Sequence, residues 1–127
     1  MKCFFDENLG IQLVRGLREF GEDVVHLTEI FDPGTPDVKW LPYVAEKGYV
    51  LFTIDKRIRS RPLELALIKE HKIGAFFLMG KTMDRWNYIR QIIRAWHKIE
   101  ATVKKETPPF AYQIRAQGTK VTKIPLG

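Results

Sequence analysis

The chain has 127 residues, 45% apolar and 28% charged, a balance that excludes a disordered tail and suits one folded domain with its own core. No run approaches the ~18–20 apolar residues of a membrane span, and the N-terminus lacks the basic region, apolar run and cleavage site of a signal peptide, so a cytoplasmic protein with no membrane partner is expected. The formal charge of +6 is unevenly spread: residues 1–80 hold 11 basic and 12 acidic side chains, and residues 81–127 hold 10 basic and 3 acidic. A near-neutral half joined to a basic half suits a polyanionic partner, with a solvated surface as the plainer alternative.

Lys2-Cys3-Phe4-Phe5 reads as a first strand that runs straight into Asp6-Glu7-Asn8. The lone Cys3 falls inside it and is expected to be a small buried hydrophobe. Leu9, Leu13, Val14, Leu17 and Phe20 recur at helical spacing and stop at Gly21, with Asn8 as a candidate cap. Asp23 to Leu27 is a short second strand, and Pro33-Gly34 marks a turn. Thr35-Pro36-Asp37 predicts a helix opening with Thr35 as N-cap and Pro36 as first helical residue, ending near Gly48. Residues 49–54 are a third strand, 62–72 a third helix and Ala75 to Leu78 a fourth strand.

From Asp84, a candidate cap, a longer helix is predicted to pack through Trp86, Ile89, Ile93, Trp96 and Val103, with Arg90, Arg94, Lys98 and Lys105 elsewhere around it. Thr107-Pro108-Pro109 ends it. Residues 110–115 and 120–124 read as a C-terminal β-hairpin across Gln117-Gly118. Strands alternating with helices predict a three-layer α/β/α sandwich with a mostly parallel central sheet, right-handed crossovers and helices on both faces. The whole of 1–127 is read as a single domain, with an acidic-site core at 1–80 and a basic helix and hairpin at 81–127.

Parallel sheets bind ligands outside the carboxyl ends of their strands, at the point where strand order reverses. If the first and third strands are neighbours, Asp6 and Asp55 project into that crevice, and Asp37 opens a helix on the same rim. Glu7 is a further candidate, although strand geometry points it away from Asp6. Acids with no His or Cys at ligand spacing beside them favour a hard cation, Mg²⁺ or Mn²⁺. Without one, clustered carboxylates repel and some take up protons. Such ions activate water and orient a phosphodiester for displacement. Each acid also has a structural alternative: Asp37 complements its helix dipole, and Asp55 caps a turn. Lys56, Arg57, Arg59 and Arg61 follow Asp55 and could hold phosphates or form a solvated loop. Trp40, Tyr43 and Tyr88 could stack bases or simply pack in the core. His26, His71 and His97 lack ligand spacing and are expected to be structural or solvated.

Phe4-Phe5-Asp6-Glu7-Asn8-Leu9, Asp23-Val24-Val25-His26, Pro36-Asp37 and Val50 to Lys56 together resemble the compact PIN-like domains, including VapC-type toxins of toxin–antitoxin pairs. The resemblance covers roughly residues 1–80. It implies a Mg²⁺- or Mn²⁺-dependent endoribonuclease that cleaves RNA to a 5′-phosphate and a 3′-hydroxyl and is held inactive by a cognate antitoxin protein. Asp6 would be the central metal ligand, Asp37 the helical acid and Asp55 the acid after the Thr-containing strand. Two departures stand out. Larger members carry a further Glu on an early helix, for which Glu7 is the nearest candidate here, and Asp55-Lys56-Arg57 replaces an Asp-x-Asp pattern. The expected partners are RNA, with Arg90, Arg94 and Lys98 as further contacts, the antitoxin and a second copy of the chain. The competing readings are a non-catalytic PIN-like module binding nucleic acid or protein, and a phosphoacceptor receiver domain with Lys81 as its lysine.

Overall fold

The computed structural model describes residues 1–54, 61–80 and 85–127, apart from the side chain of Arg61. Asp55, Lys56, Arg57, Arg59, the Arg61 side chain, Lys81 and Asp84 therefore lie outside the described residues. The elements run β1 (Lys2–Phe5), α1 (Ile11–Glu19), β2 (Asp23–His26), α2 (Asp37–Lys47), β3 (Val50–Ile54), α3 (Arg61–His71), β4 (Gly74–Leu78), α4 (Arg85–Lys105), β5 (Phe110–Ile114) and β6 (Val121–Lys123). They build one six-stranded sheet in the order β2-β1-β3-β4-β5-β6. The first four pairings are parallel and β5-β6 is antiparallel, the expected hairpin. Among the described residues no helix is long and apolar enough to cross a membrane.

The strands read as unbroken apolar runs because both faces of the sheet are covered. One face packs on α1 and α4 through Cys3, Phe5, Val50, Phe52, Phe76, Leu78, Phe110, Tyr112 and Ile114. The other packs on α2 and α3 through Phe4, Leu51, Ala75, Phe77 and Ala111. Period-two alternation thus assigns neighbouring residues to opposite layers. On the first face an aromatic ladder crosses four strands: Phe5 stacks on Phe52 at 4.7 Å, Phe52 on Phe76 at 5.2 Å and Phe76 on Tyr112 at 5.9 Å between ring centroids. Register makes this possible, since each pair is directly opposed across its ladder. Each such contact contributes about 0.5–1.5 kcal/mol beyond area burial.

Several local expectations are corrected. α1 begins at Ile11 after Gly10, with no side-chain cap, so Asn8 does not cap it. Its end follows expectation: Gly21, at φ +88°, sits past the last turn and donates its N–H to Arg18 O at 2.9 Å. Pro36, not Thr35, is the N-cap of α2, because the Thr35 hydroxyl turns back to Asp32 O at 2.6 Å. The α4 face is also rotated from the predicted one. Gln91, Ile92, Ala95, Ile99 and Thr102 are buried, Ile89, Trp96 and Val103 are half-buried, and Trp86 and Ile93 are 66% and 51% exposed. The Gln91 amide explains the rotation. Its Nε2 donates toward Met79 O, Ile114 O and Arg115 O at 2.7, 2.8 and 3.0 Å, which turns this side of the helix onto the ends of β4 and β5.

Candidate active site

Strand β1 delivers Asp6 to the carboxyl edge of the sheet at the β1/β3 neighbourhood, where strand order reverses. The Asp6 N–H donates to Phe52 O at 3.0 Å, extending the ladder one residue past β1. The residue is only 3% exposed. Burial of a charge is costly unless it is hydrogen-bonded, and here both oxygens are engaged. Oδ1 accepts the Asn8 N–H at 2.9 Å, an Asx turn that bends the chain away from the strand. Oδ2 accepts the hydroxyl of Thr53, itself buried in β3. Asp6 and Thr53 thus bridge β1 and β3 across the switch point.

Thr53 also faces a small pocket on the α2/α3 side, shared with Asp37, Glu64, Trp40, Leu41, Leu51 and Ile68. Asp37 is the first residue of α2, where the helix dipole favours an anion. Glu64 stands in the first turn of α3. Four separate segments therefore present acid or hydroxyl groups around one edge of the sheet, above an apolar floor. Among the described residues no three His, Cys, Asp or Glu side chains are already grouped as an ion's ligands. Asp55, next after β3, lies outside those residues.

Asp6 is hydrogen-bonded to Thr53, and Thr53 lines the same pocket as Asp37. Glu7 turns elsewhere, as strand alternation leads one to expect. Its carboxylate oxygens accept the Gly34 N–H at 3.0 and 3.1 Å, which ties down the turn leading into α2 and so helps to set where Asp37 begins. Glu64 was not singled out from the sequence. The signal available was an acid in the first turn of a helix shortly after Asp55.

The remaining candidates have defined places. Trp40 is buried and stacks on Phe4 at 5.4 Å, and Tyr43 packs edge-on against Phe31, so both serve the core. Tyr88 is half-buried against the α1/α4 core. His26 is buried, accepts the Thr28 N–H through Nδ1 at 3.2 Å and pairs Nε2 with Leu9 O at 2.6 Å. With Nδ1 accepting, Nε2–H donates, and the ring ties the Asp6 loop to the end of β2. Cys3 is buried, as expected, and burial pushes its thiol far above its ordinary value, favouring the neutral form. Arg90, Arg94 and Lys98 are exposed on α4, and Arg94 donates to Ala116 O at 3.0 Å.

A family model for a PIN like domain matches residues 1–80. No curated protein and no solved structure matches the chain. The matched span holds β1 to β4 and with them Asp6, Asp37, Thr53 and Glu64, and it covers more than half of the sequence. The chain belongs to the PIN-like domain family.

Proposed function

We propose that this chain is a Mg²⁺- or Mn²⁺-dependent endoribonuclease of the cytoplasm, the toxin of a toxin–antitoxin pair. The observation that carries the reading is the buried Asp6 carboxylate, held on both oxygens by Thr53 and Asn8 beside a pocket bearing Asp37 and Glu64. PIN-like domains fit nuclease function broadly, and the antitoxin and a second copy of the chain are its proposed protein partners.

The donor chemistry fits a hard cation, because the polar groups around the pocket are carboxylate and hydroxyl oxygens, and among the described residues lining it there is no thiol or imidazole. Asp6, Asp37 and Asp55 would hold the ion. Glu64, which lines the pocket, would take the fourth acidic place, whereas Glu7 turns to Gly34. When bound, the ion supplies an activated water and charge stabilisation at the leaving oxygen. The chain's own part is positional. Thr53 and Asn8 fix the orientation of the Asp6 carboxylate, so little reorganisation is needed at the moment of reaction. Trp40, Leu41, Leu51 and Ile68 give the pocket an apolar floor. Lys56, Arg57, Arg59 and Arg61, following Asp55, and Arg90, Arg94 and Lys98 on α4 are the proposed phosphate contacts.

The test is cleavage of a mixed RNA pool with Mn²⁺, with EDTA, and with the Asp6→Asn variant. The expected result is cleavage that needs metal and falls at least about a hundredfold in the variant, while its thermal melt stays close to wild type. Equal cleavage by wild type and variant, or none by either, would overturn the reading and leave a binding module.

A further inference from the structure

We infer that the cleft between α4 and the β5-β6 turn is a second, non-catalytic binding site for single-stranded RNA, with Trp86 as its base-stacking platform. This rests on the ribonuclease reading and names where the strand runs beyond the acidic pocket.

The cleft is lined by Asn87, Arg90, Arg94, Ala116, Gln117 and Gly118, and its empty volume, including the part open to solvent, is about 940 Å³. Among these described lining residues are two guanidinium groups and no carboxylate. The bond from Arg94 to Ala116 O fixes one guanidinium against the turn, leaving a planar group with several donors for phosphate oxygens. Trp86 lies one helical turn before Arg90 and is 66% exposed, whereas Trp40 is 5% exposed and Trp96 is half-buried. A large exposed aromatic in line with two arginines is the combination that holds single strands without sequence preference: stacking for bases, charge for phosphates.

Its position suits the same ligand as the acidic pocket. The bonds from Gln91 to Met79 O, Ile114 O and Arg115 O place this part of α4 at the carboxyl ends of β4 and β5. Thr53 and Asp6 stand at the corresponding ends of β3 and β1. Strands lie about 4.8 Å apart, so β3 and β5 are separated laterally by about 10 Å. The acidic pocket opens on the α2/α3 side and α4 covers the other side, so a strand reaching both passes over the carboxyl edge of the sheet. A protein partner would also cover Trp86 and Ile93, but it would leave the two arginines facing a cleft without a described acid.

The experiment uses a fluorescein-labelled mixed-sequence 12-nucleotide RNA, read by anisotropy in EDTA from 50 to 300 mM KCl, with circular dichroism as a folding control. Arg90→Gln/Arg94→Gln is expected to weaken binding at least tenfold and flatten the slope of log K against log salt by about 1.4. Arg90→Gln alone, expected to flatten it by about 0.7, avoids loosening the turn that Arg94 holds. Trp86→Ala is expected to weaken binding about five- to a hundredfold, and Trp86→Phe to remove the quenching of intrinsic fluorescence by RNA. Unchanged affinity and slope in folded variants would overturn the inference. So would loss of self-association by sedimentation in Trp86→Ala with RNA binding intact, which would make this a protein interface. Binding lost in these variants without any metal-dependent cleavage by wild type would keep the cleft and remove the nuclease reading.

Discussion

Replacing Thr53 by Val keeps the branched shape in β3 but removes the hydroxyl that donates to Asp6 Oδ2. Both residues are buried, at 4% and 3% exposure, so water cannot readily take the hydroxyl's place. A hydrogen bond to a charged group contributes about 1.5–3 kcal/mol, and about 2 kcal/mol is the expected loss in metal-free buffer at neutral pH. For a chain of this size that is a fall in Tm of roughly 6–10 °C. Thr53→Ser keeps the donor and is expected to recover more than half of the loss. The effect should also depend on the charge of its partner. In Asp6→Asn the amide oxygen can stay on the Asn8 N–H while the NH₂ faces Thr53, whose hydroxyl turns from donor to acceptor. Asp6→Asn itself should therefore change stability by less than about 1 kcal/mol, and Thr53→Val in that background should cost only about 1 kcal/mol. Urea unfolding of the four proteins in EDTA completes the cycle. An equal cost of Thr53→Val in both backgrounds, or none in wild type, would refute the view that Thr53 serves the Asp6 carboxylate.

Gly74 stands opposite Phe110 in the β4-β5 ladder, and a Cβ there would collide with the Phe110 ring. Gly74→Ala is expected to destabilise by about 1–3 kcal/mol in urea, and the same change in a Phe110→Leu background should cost clearly less; full additivity would contradict the clash. The Tyr112 phenol is pushed up to about 12, first by burial and then by donating to Glu106 Oε1 at 2.6 Å. Since an unfolded tyrosine titrates near 10, the stability this provides is whole below about pH 10 and is lost as pH rises from there through the folded value. The urea midpoint of wild type should fall between pH 9 and pH 11 more steeply than that of Tyr112→Phe, and parallel curves would count against it.

The sheet was legible in the sequence because its strands are the unbroken apolar runs that a doubly covered parallel sheet requires. Asp6 was legible for the same reason, as the first acid after such a run. The face of α4 was not. Its buried side carries Gln91 and Thr102, and its exposed side carries Trp86 and Ile93, so a reading by apolarity rotates the helix. Only the carbonyls of residues 79, 114 and 115, distant in sequence, show why a glutamine belongs inside. Thr35 had the chemistry of an N-cap but a closer acceptor in Asp32 O. Glu64 escaped notice because its place in the site depends on how α3 packs beside α2, which no local spacing reports.

Gln91 has a consequence for recognition as well as for folding. One amide fastens the end of β4, the turn after β5 and the second turn of α4, so the two walls of the basic cleft are tied together although they come from separate stretches of chain. On the proposed reading, a strand entering that cleft would find Arg94 already set against the turn. Little conformational freedom remains to be lost on binding, and more of each contact's free energy can appear as affinity.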